Sequence, residues 1–273
     1  MTTADPLGHR TRRTPLYGER GRLVLVFTVN TDTRRGRTCA DDVWRPDGVP
    51  VATAVEAALD SFAGWTLSTA DREMAAALEA AGAPRLRHDH VLSHDLSTAP
   101  AARCTAVETE PLRAADVSHH AERLGEIAYA AYPLGHRDHA HDRAADACSE
   151  LAAIGRGELL GPLMAQSQLA RLRGMVVGAC LMVDREGEAP EGGPWVIELF
   201  RDPKSTGQGI GEALLVATLA AAREAGLPSV SLVVGDENAT ALRLYERLGF
   251  TELGQTWTLD LPAQTAEPSL RHG

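Results

Sequence analysis

The chain has 273 residues, 44% hydrophobic and 23% charged, with a formal net charge of −10, which leaves room for one large domain or two smaller ones with cores of their own. The acidic balance argues against a nucleic-acid partner, which needs a basic face. No apolar run reaches the roughly 18 residues of a membrane helix, and the start MTTADPLGHRTRR lacks a secretory h-region, so a cytoplasmic protein without a membrane partner is expected, as a monomer or homodimer.

The four cysteines, Cys39, Cys104, Cys148 and Cys180, show no ligand-type spacing and are expected to be reduced and structural. Lys204 is the only lysine. Arginines crowd the first 37 residues, where no apolar periodicity accompanies them before Leu23, so residues 1–20 read as a flexible leader.

In chain order, Leu23–Val29 is a short β-branched run and predicts a buried strand. Residues 30–48 are polar and rich in turn formers, which predicts a long loop. Val51, Val55, Ala58 and Phe62 recur about one turn apart and predict a helix over 51–62. A strand at 65–68 follows, then a helix at 71–80 that Asp71 can cap and Gly82 can end, then a strand at 88–96. The small, proline-bearing segment around 98–103 reads as a linker and the domain boundary. Beyond it come a strand at 105–112, helices at 114–131 and 143–154, and a hairpin of 168–172 with 175–183 turning at Arg173-Gly174. A loop over 186–194 leads to a strand at 195–200. The tail from 263 is expected to be flexible.

The informative stretch is VIELFRDPKSTGQGIGEALL, residues 196–215. An apolar strand runs into a loop with glycines at 207, 209 and 211, and a long alanine/leucine helix follows to about Ala225. Amides at such a turn point outward together, aided by the positive end of the helix dipole, and suit a phosphate or pyrophosphate. A glycine-rich turn is also often only a turn. A second strand, 229–234, then leads to a helix at 236–248 ended by Gly249-Phe250. Asn238 and Tyr245 lie two helical turns apart and share a face.

The order of elements over 104–261, and above all ELFRDPKSTGQGIGEALL and NATALRLYERLGF, resembles the GNAT superfamily of N-acetyltransferases. The resemblance implies an α/β (α+β layered) fold: a central mixed, mostly antiparallel sheet with splayed middle strands, flanked by helices. It implies acetyl-CoA as co-substrate and an amine of a small molecule or peptide as acceptor. Thr206, Gly207, Gln208, Gly209, Ile210, Gly211 and Glu212 would form the pyrophosphate loop, with Thr206 in place of the family's Arg or Gln. Backbone groups of Phe200 and Arg201 would pair with the pantetheine arm, and Asn238 would contact the cofactor. Arg201 stands where the family has an apolar residue, so its side chain is expected to face the acceptor pocket. Tyr245 would protonate the leaving thiolate, for which a phenol of ordinary acidity is already protonated at neutral pH. Glu198 is the candidate base for the attacking amine, with Asp202 and Asp236 as weaker ones; positioning the reactants can supply much of the acceleration without a base.

Residues 65–96 run strand, helix, glycine, strand, like 230–261, and both segments end in Asp-Leu. Laying Gly82 on Gly249 puts Asp71 on Asn238 and Leu78 on Tyr245. No glycine loop precedes the first segment, so residues 21–97 read as a degenerate GNAT-like half domain without a cofactor site, and residues 104–262 as the catalytic domain. His136, His139 and His141 lie with Asp138 and Asp142 in a loop that lines the acceptor cleft in relatives; no metal is expected. A non-catalytic acyl-CoA-binding or regulatory module is the alternative reading, and succinyl-CoA an alternative donor.

Overall fold

The computed structural model describes residues 3–4, 10–11, 13–18, 21–32, 36–98, 106–136, 139, 141–190 and 192–263. The expected linker beyond Thr98, Cys104, Asp138, the tail from 264 and much of the expected leader lie outside them. The elements are strands β1 (Thr3–Ala4), β2 (Arg10–Thr11), β3 (Thr14–Tyr17), β4 (Leu23–Asp32) and β5 (Arg37–Trp44), helix α1 (Val51–Ser61), β6 (Thr66–Thr69), α2 (Arg72–Ala80), β7 (Arg85–Asp95) and β8 (Glu108–Pro111). Then follow α3 (Ala114–Ala131), α4 (Ala144–Gly155), β9 (Gln168–Leu172), β10 (Met175–Arg185), β11 (Gly193–Arg201), α5 (Ile210–Glu224), β12 (Ser229–Gly235), α6 (Ala239–Arg247) and β13 (Thr251–Asp260). Among the described residues no helix is long and apolar enough to cross a membrane.

Contacts divide the chain into two units. The first holds Thr11–Asp89 and the chain from Gly254; the second holds His90–Leu253. The chain therefore changes unit inside β7 and again inside β13. Sequence composition pointed instead to 98–103, because a linker shows in composition whereas a strand that changes unit does not.

In the first unit the strand order is β3-β4-β5-β6-β13-β7. β5 and β6 run parallel; β3 with β4, β4 with β5 and β6 with β13 run antiparallel. Phe62, Leu25, Leu67, Met74 and Leu78 are its largest fully buried side chains, and Trp257 and Leu259 of β13 join them. Asp71 caps α2 by accepting from the Met74 amide at 3.0 Å. Two strands depart from expectation. β3 forms inside the expected leader: it is an edge strand, where Pro15 costs no ladder bond, and Leu16 packs on the core. β5 forms inside the expected loop, and a break in register near Asp42 (φ 48°) interrupts the inward alternation that would have announced it.

In the second unit the order is β13-β7-β12-β11-β10-β9-β8. β8 to β11 are antiparallel and β11 runs parallel to β12. β10 is buried on both faces. Ala179, Leu181 and Val183 meet Leu124, Ile127, Leu151 and Ile154 of α3 and α4, while Cys180 and Met182 meet Leu214, Leu215 and Leu219 of α5. Period-two alternation puts these two sets on opposite faces. Burial pushes the Cys180 thiol up to about 12, so it serves as a small apolar filler. Cys39 is buried as well.

The two units repeat one order of elements. The series β3-β4-β5-α1-β6-α2-β7 matches β9-β10-β11-α5-β12-α6-β13, with a parallel pair in the same place in each. Asn238 caps α6 by accepting from the Ala241 amide at 3.1 Å, as Asp71 caps α2. Gly82 and Gly249 end these helices at φ 94° and 91°, and Leu78 and Tyr245 are both buried. The likeness extends beyond 65–96, back to Thr14. The sheet neighbour of β6 is β13, and that of β12 is β7.

Since Leu259 is 0% exposed in the first unit's core, Leu259→Ala is expected to destabilise that unit by about 2–5 kcal/mol, and Leu67→Ala to do the same. Urea unfolding followed by tryptophan fluorescence checks this; a change within about 0.5 kcal/mol would mean that the last strand is dispensable.

Candidate functional site

The site lies in the second unit, where two parallel strands part. The β11–β12 ladder consists of Trp195↔Ser231 and Val196↔Leu232. β11 runs on to Arg201 and keeps its β10 partners as far as Gly178↔Arg201. One edge of β11 is thus held while the other, past Val196, has left its ladder. Such an edge offers amides and carbonyls to an extended ligand.

Gly178 allows this approach of β10 to the end of β11. A Cβ there would lie 2.5 Å from the Phe200 carbonyl oxygen. A bulge re-aims the next residues: Leu181 pairs with Glu198 and Met182 with Val196, so Ile197 is the extra residue. Trp195 and Phe200 face α3 and α4, while Val196 and Leu199 face α5. The bulge turns Glu198 toward α3, where the Tyr132 hydroxyl lies 3.4 Å from Glu198 Oε2 and 3.4 Å from the Leu199 carbonyl oxygen. Tyr132 escaped the sequence reading, since its partner lies 66 residues away.

Asp202 follows β11 and opens a 3-10 turn, Pro203–Ser205, by accepting from the Lys204 amide at 3.0 Å. Its other oxygen accepts from Arg123 Nη2 at 2.8 Å. Burial pushes the carboxyl up, but the Lys204 amide and the Arg123 guanidinium outweigh it and hold the group below its ordinary range. A carboxylate held ionised this way is a poor proton acceptor.

Gly207 (φ 82°) and Gly209 (φ 71°) then adopt the left-handed conformation that favours glycine. Gly209 is the N-cap of α5. A Cβ on either glycine would meet nothing within 4 Å, so open space lies over the turn. The Ile210 and Gly211 amides, in the first turn of α5, have no intrahelical acceptor. The Thr206 hydroxyl donates to the Pro203 carbonyl at 2.6 Å and accepts from Arg201 Nη1 at 2.9 Å. The Arg201 side chain therefore reaches the glycine turn rather than facing an acceptor pocket, because Thr206 anchors it. Arg247 of α6 donates to Glu212 at 2.8 Å, a contact 35 residues long that no local pattern announces.

On α6, Asn238 spends its side-chain oxygen on the cap, which leaves its amide nitrogen as the donor for any ligand. Tyr245 is 7% exposed, with its ring 5.5 Å from that of Phe250. Of the loop histidines, His136 packs on Tyr132, His139 bonds to the Tyr132 carbonyl at 2.7 Å, and His141 pairs with Glu150. Among the described residues no group of three His, Cys, Asp or Glu gathers for a metal.

A mixed sheet whose parallel strands part in front of a glycine turn defines a fold class, and comparison with known proteins identifies it. Residues 122–250, which lie within the second unit, match the Acetyltransferase (GNAT) family. Over 74 residues it is 43% identical to a mycothiol acetyltransferase of Thermobispora bispora, which is 27% of this chain and 23% of that protein. The match thus spans about a quarter of that relative's length. Among solved structures, a GCN5-related N-acetyltransferase from Sphaerobacter thermophilus superposes with a TM-score of 0.62 at 19% identity, covering 93% of this chain and 82% of that one. A tandem GNAT protein from the clavulanic acid biosynthesis pathway gives 0.52 at 16%, covering 90% and 82%. The splayed α/β fold expected from the sequence is the one found, and the first unit repeats its order of elements.

Because the folded Asp202 titrates below an ordinary aspartate, its stabilisation is full above the ordinary carboxylate range and is lost as pH falls through the lower, folded value. Asp202→Asn is expected to flatten the loss of stability between pH 7 and about pH 2. Urea titrations across that range check it; an unchanged pH slope would contradict the assignment.

Proposed function

We propose that the second unit transfers an acetyl group from acetyl-CoA to an amine of a small molecule or protein by direct attack. The observation that carries this reading is the parting of β11 from β12 directly before the glycine turn. The released edge of β11 at Phe200 and Arg201 suits the amides of a pantetheine arm. The turn from Thr206 to Glu212 suits its pyrophosphate, since open space above Gly207 and Gly209 lets backbone amides approach an anion closely. The Asn238 side-chain amide is the donor assigned to the cofactor.

Glu198, turned toward α3 by the bulge, takes the proton that the attacking amine releases. The amine adds to the thioester carbonyl and the C–S bond breaks. Tyr245 gives its proton to the thiolate as it leaves. Holding amine and thioester side by side supplies much of the acceleration. The mycothiol acetyltransferase likeness supports a small-molecule acceptor. The reading includes a cytoplasmic setting.

Calorimetric titration of acetyl-CoA is expected to give one site per chain, lost in Gly209→Trp, whose ring fills the space over the turn. Normal binding by that variant would sink the pyrophosphate assignment. Tyr245→Phe is expected to lower kcat at least about tenfold with the acetyl-CoA Kd unchanged. Glu198→Gln is expected to lower kcat/KM and to remove the fall in rate on the acid side, where a base becomes protonated. Thiol release measured with an amine panel checks both variants, and wild-type turnover would take either residue out of the mechanism.

A further inference from the structure

We infer that the Arg201 guanidinium binds the diphosphate of the acyl-CoA and supplies the positive charge that the glycine turn itself lacks. The inference rests on the acetyl-CoA reading above.

From Thr206 to Gly211 the turn has no charged side chain, only amides, one hydroxyl and one carboxamide. Its next residue, Glu212, is an acid at the mouth of an anion site, and Arg247 offsets it at 2.8 Å. A cation beside those amides would hold a diphosphate more tightly than the amides alone, because hydrogen bonds between ionised groups are the stronger ones. Arg123 is committed to Asp202 at 2.8 Å and lies near Glu126 at 3.4 Å. Arg201, by contrast, makes no ion pair with a carboxylate among the described residues. Its Nη1 contacts the Thr206 hydroxyl at 2.9 Å and the Asp202 carbonyl at 3.4 Å, both neutral.

The arrangement is prepared for a ligand. The root of Arg201 is fixed by its pairing with Gly178 on β10, and its tip is fixed by a hydroxyl that is itself tied to the Pro203 carbonyl. Both contacts use Nη1, while a guanidinium also carries donors on Nε and Nη2 in a fork that fits phosphate oxygens. Little side-chain freedom remains to be lost on binding. Two departures from the family pattern, Arg at 201 and Thr at 206, thus explain each other: the hydroxyl at 206 holds the cation that 201 provides.

The test is calorimetry of Arg201→Gln and wild type with three ligands: acetyl-CoA, its dephospho form lacking the 3′-phosphate, and S-acetylpantetheine, which has no phosphate. The variant is expected to lose about tenfold or more in affinity for both nucleotide ligands and to lie within about twofold for S-acetylpantetheine. Its salt dependence for acetyl-CoA is expected to be shallower. Arg201→Lys should lose less than Gln, and the exchanged pair Arg201→Gln with Thr206→Arg should recover most of the affinity. Equal binding of acetyl-CoA by Arg201→Gln would overturn the inference. So would equal losses for all three ligands, which would mark a role in loop shape alone, or a loss confined to the 3′-phosphorylated ligand. If Arg201→Gln does not fold, Thr206→Val, which frees the guanidinium, must show the same ligand pattern. Failure of the wild type itself to bind any of the three would instead remove the acetyl-CoA reading, and this inference with it.

Discussion

The end of the β11–β12 ladder at Val196 and Leu232 is the constraint on which the chemistry proposed for the second unit depends. A backbone amide or carbonyl that leaves a ladder inside a sheet must find another partner. β11 cannot follow β12, because β10 holds it in register as far as Arg201 and Gly178 lets the two strands lie close. The released edge is therefore the space proposed for an extended ligand. The other features serve that space: the bulge at Ile197 turns Glu198 toward α3, the glycines aim the first amides of α5, and Asp202 ties the turn between them to Arg123.

The first unit repeats this frame, but its chemistry differs. The connection from β5 to α1, Arg45–Pro50, contains Pro46 and Pro50, which have no N–H to give. Its guanidinium, Arg45, bonds to Asp71 at 2.7 Å with Glu73 at 3.4 Å, and Asp47 adds a further negative charge. Three acids thus stand around that one guanidinium. Where the second unit has Asn238 and Tyr245, the first has Asp71 and Leu78, which keep the cap and the packing but offer an acid and a hydrocarbon. The same backbone thus serves one unit as scaffold and the other as a candidate site.

Much of this was legible in the residues. The ranges of α3 and of β9 match those expected, because strong apolar periodicity and a clear turn mark them. The glycine turn was legible because glycine's freedom is written in its identity. β5 was not, because a bulge at Asp42 breaks the alternation by which strands are recognised. Nor was the change of unit inside β7 and β13, since pairing partners far apart in the chain leave no local trace. At the site, spacing put Asn238 and Tyr245 on one helix face, and the resemblance to the GNAT superfamily pointed to them and to Glu198. Tyr132, Arg123 and Arg247 were hidden because each acts through a partner distant in sequence. Arg201 was expected to face elsewhere, since a residue's identity does not say which way its side chain turns.

The central claim is that the edge of β11 beyond the ladder and the first amides of α5 receive the acyl-CoA. Amide hydrogen exchange with and without saturating acetyl-CoA tests it most directly. Selective slowing at Leu199–Arg201 and Gly207–Glu212 is the result this account predicts. Exchange unchanged in both segments, with slowing elsewhere in the chain, would contradict it.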